Sequence, residues 1–388
     1  MEQNQNKARA PRRRTPFQKN RRLQGELLSW LLIGIIAAFT VLGVLTPDKD
    51  FSESENRSLA QFPKLSDSFL SDLGSYVADQ FPGRDLWMRL NFKFNQLLGQ
   101  KEANGVYLCA DDYLIQVPGE PDWTQVDRNM DAINRFAETY PTLNMVMCVA
   151  PNAITVHADK LPENAPVRNQ EEDLAALQEK LTGVTFVDVT KTLKRHSSRY
   201  LYYKTDHHWT SLAAAYAYQE IAPVMNLYNP DLDSYTVYTV SDSFEGTLSS
   251  KAGSHAARDT VEIYVHDTNI EYFVSYPDGT DIRSFYNRNA LNQKDHYTVF
   301  FGGNYSRLDI TTTADTGRNL LIFKDSYANC LVPFLYPYFD HITMIDPRYY
   351  YDNVDLAIRS ENITDVLFLY NLDTFLGDTS LADVLVSE

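Results

Sequence analysis

The nine residues YYKTDHHWT, at positions 202–210, contain an unusual concentration of side chains that can exchange protons. Only eight histidines occur in 388 residues, yet His207 and His208 are adjacent and Asp206 precedes them. In an extended segment or turn, residues two apart project to the same side. Asp206 could therefore hold the Nδ1–H of His208 while Nε2 faces a hydroxyl group, which is the arrangement of a serine triad.

Two other roles remain open for this segment. A metal site would use the same carboxylate and imidazoles, but adjacent histidines diverge and no third His or Cys has a suitable spacing. A structural turn held by hydrogen bonds would need no nucleophile elsewhere in the chain. We favour the triad over the metal site and expect no metal and no cofactor. In the triad geometry His207 should point away, into packing or a backbone hydrogen bond.

A serine that could act as the nucleophile follows a predicted strand, RNLLIFKDS, which ends at Ser326. Parallel sheets bind ligands at the carboxyl ends of their strands. A serine at a strand-to-helix turn also directs its backbone N–H towards the site. The alternative is that Ser326 only caps the following helix, a frequent role of serine at that position. Pro333 keeps that helix short.

The elements that would position these residues alternate between strands and helices. The apolar runs NMVMCVAP, LLIFKDS, HITMID and DVLFLYN predict buried parallel strands, and helix-length segments separate them. Residues 122–140 have the apolar periodicity of an amphipathic helix. The prediction is a three-layer α/β fold with a central parallel sheet. Residues 227–300, rich in tyrosine, aspartate and threonine, are interpreted as an insertion of small strands and loops.

The amino-terminal part of the chain predicts a membrane anchor. Residues 1–26 contain eight Lys/Arg and two acids, and residues 27–45, LLSWLLIGIIAAFTVLGVL, carry no charge. A helix of that length spans roughly 28 Å, close to the hydrocarbon core of a bilayer. The basic side stays in the cytoplasm. We therefore predict a single-pass anchor with a cytoplasmic tail and the remainder of the chain outside the cell.

A cleaved signal peptide is the alternative, but no small-x-small cleavage site follows the apolar run, which is longer than a usual signal core. Residues 46–100 are predicted to be a juxtamembrane connector with two helices, and residues 101–388 the remaining domain. Outside the tail, 27 Lys/Arg stand against 49 Asp/Glu, a net charge of −22. This charge argues against nucleic acid or a polyanionic surface as the main partner.

Taken together, these parts resemble an SGNH-type hydrolase: a serine after a parallel strand, an Asp-x-His, and a later strand that ends in asparagine. Most of the chain after the anchor resembles the DHHW family, relatives of the alginate O-acetyltransferase proteins and their SGNH-like domain. The segments that carry the resemblance are SENRSLAQFP, DQFPGRDLW, NGVYL, YYKTDHHWT, FEGTLSSKAG, FGGNYS, and FKDSYAN followed by PRYY. The Asp-x-His lies before the serine, the circularly permuted order of those acetyltransferase relatives.

The resemblance implies a role for each matching residue. Ser326 would be the nucleophile, His208 the general base and Asp206 the group that orients it. The oxyanion hole would combine the backbone N–H of Ser326 with Asn371, at the end of DVLFLYN, and Arg348 would assist electrostatically.

The sequence departs from the family pattern at two points. Lys324 stands where a glycine usually precedes the Asp-Ser pair, and Arg348 stands where a second conserved block usually has glycine. These departures concern the oxyanion hole more than the triad.

The function implied is a membrane-anchored O-acetyltransferase that modifies a cell-wall or secreted polysaccharide through an acetyl-serine intermediate. Three aromatic residues, Trp209, Tyr327 and Tyr349, are expected to be exposed and could stack on sugar rings, although any of them could instead belong to the core. The resemblance also implies a multi-spanning membrane acyltransferase as the partner that relays the acetyl group. One alternative is a carbohydrate acetylesterase with the same triad. The other is a polysaccharide-binding or assembly protein whose triad is catalytically inactive.

Overall fold

A computed structural model describes residues 16–52, 57–66, 68–228 and 232–386 of the chain. The first 15 residues of the predicted basic tail therefore lie outside the described residues. The described chain divides into two compact units, one that reaches Met88 and a larger one that starts at Arg89.

The strands follow one another in this order: β1 (Phe51–Ser52), β2 (Arg57–Ser58), β3 (Glu102–Ala103), β4 (Val106–Leu108), β5 (Leu114–Gln116), β6 (Asn144–Ala150), β7 (Thr185–Val187), β8 (Tyr235–Phe244), β9 (Asp259–His266), β10 (Tyr272–Ser275), β11 (Asp281–Ile282), β12 (Arg307–Thr312), β13 (Asn319–Lys324), β14 (His341–Ile345) and β15 (Asp365–Asn371). The α-helices are α1 (Pro16–Leu45), α2 (Phe69–Asp79), α3 (Arg84–Leu97), α4 (Trp123–Thr139), α5 (Ala153–Val156), α6 (Gln170–Lys180), α7 (Thr190–Arg195), α8 (Ser211–Val224), α9 (Thr247–Ala252), α10 (Val332–Leu335), α11 (Val354–Ser360), α12 (Leu372–Gly377) and α13 (Leu381–Val386).

An eight-stranded sheet forms the centre of the larger unit, in the order β11-β10-β12-β14-β13-β15-β6-β7. The five strands from β14 to β7 are parallel, and β12, β10 and β11 extend the sheet in antiparallel fashion. The predicted central parallel sheet is therefore confirmed. Neighbouring parallel strands bring their carboxyl ends to one edge, so the segments after β13, β15 and β6 meet there.

Both faces of this sheet are buried. Successive strand residues point to opposite sides, and the residues on each side pack in a separate core. On one face, Val146, Ile322 and Leu369 belong to a core that includes the alanine-rich helix α8. On the other, Met147 and Phe368 pack in a core with helices α4, α6 and α13. The result is helix, sheet and helix in three layers, as the run of fully apolar strands predicted.

The described part of region 227–300 contains short strands, short helices and loops. Strands β8 and β9 form an antiparallel hairpin, with helix α9 in the connection between them. Strands β10 and β11 join the edge of the central sheet. This region also supplies side chains to the candidate active site, described below.

Helix α1 is long and apolar enough to cross a membrane over Leu23–Leu45, a segment of 23 residues with mean hydropathy 2.5. None of this segment is buried in the protein, which sets it apart from a core helix. The predicted apolar helix is thus confirmed, while its length and composition fit an anchor and a signal segment equally well.

Candidate active site

The structure brings Ser326, His208 and Asp206 into one chain of hydrogen bonds. His208 Nε2 lies 2.7 Å from Ser326 Oγ, and His208 Nδ1 lies 2.5 Å from Asp206 Oδ1. Asp206 and His208 are buried, whereas Ser326 is partly exposed. A serine hydroxyl on one imidazole nitrogen and a carboxylate on the other is the geometry in which imidazole can remove the hydroxyl proton.

The segment that carries Asp206 and His208 is a tight loop that is hydrogen-bonded to the loop containing Ser326. An antiparallel bridge joins Tyr202 to Trp209 and closes the loop at its base. Trp209 Nε1 donates a hydrogen bond of 3.0 Å to the Tyr327 carbonyl, next to Ser326. These contacts fix the separation of two segments that are far apart in the sequence.

Asp206 is held in its ionised form. Its Oδ2 accepts hydrogen bonds of 2.8 Å from both the backbone N–H and the hydroxyl of Thr247. Burial by itself would raise the pKa of Asp206, but the imidazoles of His207 and His208 and the hydrogen bonds from His208 and Thr247 outweigh it. The pKa of this carboxyl consequently lies far below its ordinary value. Asp206 is therefore a permanent anion beside His208.

A second buried aspartate, Asp259, holds the backbone that precedes Asp206. Asp259 accepts hydrogen bonds from the backbone N–H groups of Lys204 and Thr205, both at 2.7 Å, and from the Thr205 hydroxyl at 2.5 Å. Burial raises the pKa of Asp259. This carboxyl fixes the backbone immediately before the Asp-x-His.

Ser326 opens a short 3₁₀ helix, Ser326–Cys330, directly after β13. The cap of that helix is Asp325, whose side chain accepts from the backbone N–H of Tyr327 at 2.8 Å. The alternative role of Ser326 as the helix cap is thereby overturned. Its hydroxyl is left for His208, and no described residue accepts its backbone N–H.

The imidazole of His208 is supported from one side by an aromatic ring. The rings of His208 and Tyr297 stack with centroids 3.7 Å apart and an angle of 12°. The Tyr297 hydroxyl donates a hydrogen bond of 2.9 Å to the Ser326 carbonyl. One residue therefore orients both the base and the backbone of the serine.

His207 does not point away, so that expectation is wrong. Its ring lies 4.0 Å from the His208 ring between centroids, and its Nδ1 lies 2.9 Å from Thr247 Oγ1. Residues 204–208 are bends rather than a strand, so alternate side chains do not face opposite sides. Burial, followed by repulsion from His208, lowers the pKa of His207 to about 4.

Asn371 lies at the carboxyl end of β15, as expected from its sequence position. Its Nδ2 donates to Asp325 Oδ2 at 2.5 Å and to Thr374 Oγ1 at 2.7 Å, and its Oδ1 accepts from Asn152 at 3.1 Å. Both amide hydrogens are thus already engaged. Burial raises the pKa of Asp325 to about 6.

Arg348 is not directed at the serine. Its guanidinium makes a bidentate pair with Asp346, with distances of 2.8 and 2.6 Å, and lines a separate groove with Tyr350 and Tyr351. The structure therefore gives no support to Arg348 as a direct oxyanion contact.

The aromatic residues proposed for sugar stacking differ in their exposure. Trp209 and Tyr327 are fully buried, so the expectation that they are exposed is wrong. Their rings pack together, and the Tyr327 hydroxyl donates to the His207 carbonyl at 2.6 Å. Tyr349 is 50% exposed and remains available for contact with a ligand.

A cavity of about 170 Å³, with both polar and apolar residues in its lining, opens beside Asp206 of the triad. Its lining includes Asp206 and His207, the amides Asn152 and Asn371, and Asp373. Asn152 follows β6 and Asn371 ends β15, so the cavity sits at the carboxyl edge of the parallel strands. Its amide and carboxylate groups can hydrogen-bond a ligand rich in hydroxyl groups.

A metal ion is the other occupant that this cluster could bind. Asp206, His207 and His208 each offer one ligand atom, and these atoms lie within 4.8 Å of one another. However, Asp206 already accepts from His208 and Thr247, and His208 Nε2 faces Ser326. The hydrogen bonds therefore fit a triad better than a set of metal ligands.

Lys324, which replaces the usual glycine, is completely enclosed. Its ammonium group donates to Asn304 and Asn329 at 3.0 and 2.9 Å. Burial lowers the pKa of Lys324 to about 8. The side chain thus points into the protein and leaves the serine accessible.

Sequence reasoning missed Thr247, Tyr297, Asp259 and Asn152. Thr247 lies in FEGTLSSKAG, one of the segments that carried the family resemblance, but the resemblance implied no role for this residue. Asn152 follows an apolar parallel strand, and the strand-end rule could have identified it. Tyr297 and Asp259 lie in the irregular region, where no pattern distinguishes them.

Comparisons with known proteins agree with this architecture. Residues 121–278 match the family described as SGNH hydrolase-like domain, acetyltransferase AlgX. The match includes Asp206, His208 and Thr247 and ends before Ser326. A search of curated protein sequences returns no match.

Several solved structures are similar. A DHHW family protein from Eubacterium siraeum DSM 15702 has 26% identity and a TM-score of 0.64, covering 73% of this chain and 95% of that protein. Bacillus cereus PatB1, solved with a sulfonyl adduct, has 22% identity and a TM-score of 0.60, covering 71% and 97%. The O-acetyltransferase domain of Pseudomonas putida AlgJ has 12% identity and a TM-score of 0.45, covering 73% and 99%.

The family match shows that residues 121–278 are similar to an SGNH hydrolase-like domain, and the fold agrees with that similarity. The predicted resemblance to the DHHW family and to its SGNH-like acetyltransferase relatives is confirmed.

Proposed function

We propose that this protein is a membrane-anchored, extracytoplasmic O-acetyltransferase that modifies a cell-wall or secreted polysaccharide. The observation that carries the proposal is the hydrogen-bond chain from Ser326 through His208 to Asp206, with distances of 2.7 and 2.5 Å, beside a cavity that Asp206 lines. The match of residues 121–278 to an acetyltransferase family supports the reaction class.

The reaction has two acyl-transfer steps. Ser326 Oγ attacks the acetyl carbonyl of a donor ester while His208 Nε2 takes the serine proton, and the donor oxygen leaves with that proton. A sugar hydroxyl then attacks the acetyl-serine, gives its proton to His208, and the proton returns to Ser326 Oγ. Asp206 remains an anion throughout, because its pKa is so low, and stabilises the imidazolium in both steps.

The oxyanion formed in each step needs hydrogen-bond donors. The backbone N–H of Ser326, at the start of a 3₁₀ helix, is our first candidate. Asn371 is the second, and its Nδ2 would have to turn one hydrogen from Asp325 or Thr374 towards the oxyanion. Apo sites often need such tightening before they bind the transition state.

The acceptor in this proposal is a polysaccharide. The cavity of about 170 Å³ offers Gln116, Asn152 and Asp373, whose polar groups suit sugar hydroxyls. Tyr349, with half of its surface exposed, offers an aromatic ring with a polar end.

Transfer differs from hydrolysis only in what attacks the acetyl-serine. Full-length protein should move acetyl groups from p-nitrophenyl acetate to an oligosaccharide acceptor, giving an acetylated sugar detectable by mass spectrometry. A matched acceptor with methylated hydroxyls gives the background. Acetate as the sole product in the presence of the acceptor would identify an acetylesterase instead. Tight sugar binding without any acetyl-serine would identify a binding or assembly protein.

The acetyl donor in this proposal is relayed by a multi-spanning membrane acyltransferase, which requires the protein to remain at the membrane. The apolar helix over Leu23–Leu45 supports an anchor, and the basic residues before it support a cytoplasmic amino terminus.

Protease added to intact cells should therefore degrade the domain after residue 46 and spare the amino-terminal tail. The remaining fragment, detected through an amino-terminal tag, should stay with the membrane fraction. A secreted mature form that lacks residues 27–45 would contradict the anchor.

A further inference from the structure

The second histidine of the site, His207, has no part in the triad, yet its contacts fix which of its nitrogens carries the proton. Thr247 Oγ1 lies 2.8 Å from Asp206 Oδ2 and 2.9 Å from His207 Nδ1. Asp206 is an anion and only accepts hydrogen bonds, so the single hydroxyl proton of Thr247 goes to this carboxylate. The Thr247 oxygen must then accept from His207, which places the proton of that imidazole on Nδ1.

This assignment leaves Nε2 of His207 as a hydrogen-bond acceptor. Burial and repulsion from His208 hold the pKa of His207 at about 4, so the ring is neutral at neutral pH and Nε2 carries a lone pair. Within the described part of the chain, no group donates to this nitrogen, and it is not one of the buried polar atoms that lack a partner. It is therefore accessible, and the His207 ring lines the cavity beside Asp206.

The imidazoles of His207 and His208 are arranged alike around one carboxylate. His208 Nδ1 donates directly to Asp206 Oδ1, whereas His207 Nδ1 donates to Thr247, which donates to Asp206 Oδ2. The two rings lie 4.0 Å apart between centroids, with an angle of 36° between their planes. The adjacent rings thus offer two Nε2 acceptors, just as two neighbouring carbons of a sugar offer two hydroxyl donors.

The other polar groups of the cavity lining favour a ligand that donates hydrogen bonds. The lining contains the carboxylates of Asp206 and Asp373, and none of its described residues is a lysine or arginine. Both amide hydrogens of Asn371 are used within the protein, and Asn152 donates to the Asn371 oxygen. A ligand with hydroxyl groups and without acidic groups fits this lining.

We infer that His207 Nε2 accepts a hydrogen bond from the hydroxyl group next to the one that attacks the acetyl-serine. The attacking hydroxyl has one proton and gives it to His208, so a second hydroxyl must be the donor to His207. The inference rests on the proposed transfer reaction. It narrows the acceptor to a glycan with two neighbouring free hydroxyl groups and no acidic group beside them. Water has no neighbouring hydroxyl, so His207 favours the sugar over water.

Small ring alcohols test this inference in the full-length protein, with p-nitrophenyl acetate as the acetyl donor. We would offer cyclohexanol and vicinal cyclohexanediol, in its cis and trans forms, and measure the acetylated alcohol and the acetate formed. The unsubstituted protein should acetylate at least one diol, per hydroxyl group, about 2- to 10-fold more than cyclohexanol, the contribution of one hydrogen bond. This preference does not depend on how fast the acetyl-serine forms.

Two substitutions separate the two nitrogens of His207. In His207→Asn the amide nitrogen can keep the contact of Nδ1 with Thr247, but nothing replaces Nε2. In His207→Gln the amide reaches the position of Nε2, and the contact with Thr247 is lost. The preference for the diol should therefore vanish in His207→Asn and return in part in His207→Gln. His196→Asn is the control, because the His196 ring stacks on Tyr216 and does not line the cavity, and it should keep the preference.

A preference that persists in His207→Asn would assign His207 to the support of Thr247 alone and overturn the inference. If the unsubstituted protein acetylates cyclohexanol and the diol equally, the inference is overturned while transfer itself stands. If it acetylates none of the alcohols, transfer fails and the inference fails with it. If both variants lose the preference, NMR of ¹⁵N-labelled histidine decides. An unprotonated Nε2 of His207 whose signal shifts on addition of the diol upholds the inference, and a protonated Nε2 or an unchanged signal overturns it.

Discussion

Ser326→Ala should remove nearly all acetyl-ester cleavage by this protein, lowering kcat by about 10⁴- to 10⁶-fold. A serine hydroxyl is a weak nucleophile unless a base removes its proton, and His208 Nε2 lies 2.7 Å from Ser326 Oγ. Because the two residues act as a unit, His208→Ala and the double variant should fall to the same floor as Ser326→Ala. Release of p-nitrophenol from p-nitrophenyl acetate measures all three.

The matched control is Ser284→Ala, since Ser284 is a partly buried serine whose hydroxyl, among the described residues, hydrogen-bonds to the nearby backbone of Tyr286. It should keep the rate of the unsubstituted protein. His207→Ala is no neutral control, because the His207 ring contacts His208 and lines the cavity. Full activity in Ser326→Ala would overturn Ser326 as the nucleophile and leave the DHHW segment with a structural role.

The sequence predicted those features whose signal is local. The apolar composition of the segments that form β6, β13, β14 and β15 predicts that these strands are buried on both faces. Both the strands and the three layers could therefore be inferred from it. The strand-end rule then placed Ser326 and Asn371 at one edge of the sheet, where the structure has them. The spacing of Asp206 and His208 suggested a pair, and a hydrogen bond joins them.

Other features depend on contacts between distant parts of the chain, which no local pattern reveals. Trp209 and Tyr327 are buried, and the sequence alone does not predict this, because aromatic side chains near a candidate site suit packing and binding equally well. Their rings pack together, and the hydrogen bond from Trp209 to the Tyr327 carbonyl joins two loops that are distant in the sequence. Tyr297 comes from a region without periodicity, yet its ring supports His208. The expectation that His207 points away required side chains to alternate as they do in an extended backbone. Residues 204–208 form bends instead, so the side chains do not alternate in that way.

Gly246→Ala should be the most damaging change outside the triad. Gly246 has an ordinary φ of −81°, so the requirement for glycine is one of space. A Cβ on Gly246 would lie 2.3 Å from Asp206 Cβ and 2.5 Å from Asp206 Oδ2. Because the closest contact is with the Cβ of Asp206, a new rotamer cannot relieve it, and the two backbones must move apart.

That movement should separate Asp206 from His208 and remove the hydrogen bonds from Thr247, which follows Gly246 directly. Loss of the orienting carboxylate lowers the rate of a serine triad by about 10⁴-fold, and we expect a decrease of that order. Overpacking of this kind should also lower the free energy of unfolding by about 1–3 kcal/mol. Ester cleavage and thermal unfolding measure the two effects on the same preparation.

Two further variants separate crowding from a general intolerance of alanine. Gly377→Ala adds a Cβ with no atom within 4 Å, at the end of α12, and should leave activity unchanged. Asp206→Gly combined with Gly246→Ala removes the Cβ that the new methyl group would strike. This combination should regain part of the stability lost in Gly246→Ala, while ester cleavage stays low because the carboxylate is absent. Equal stability of the combination and Gly246→Ala, or full activity in Gly246→Ala, would show that the close approach of Gly246 to Asp206 does not position the triad.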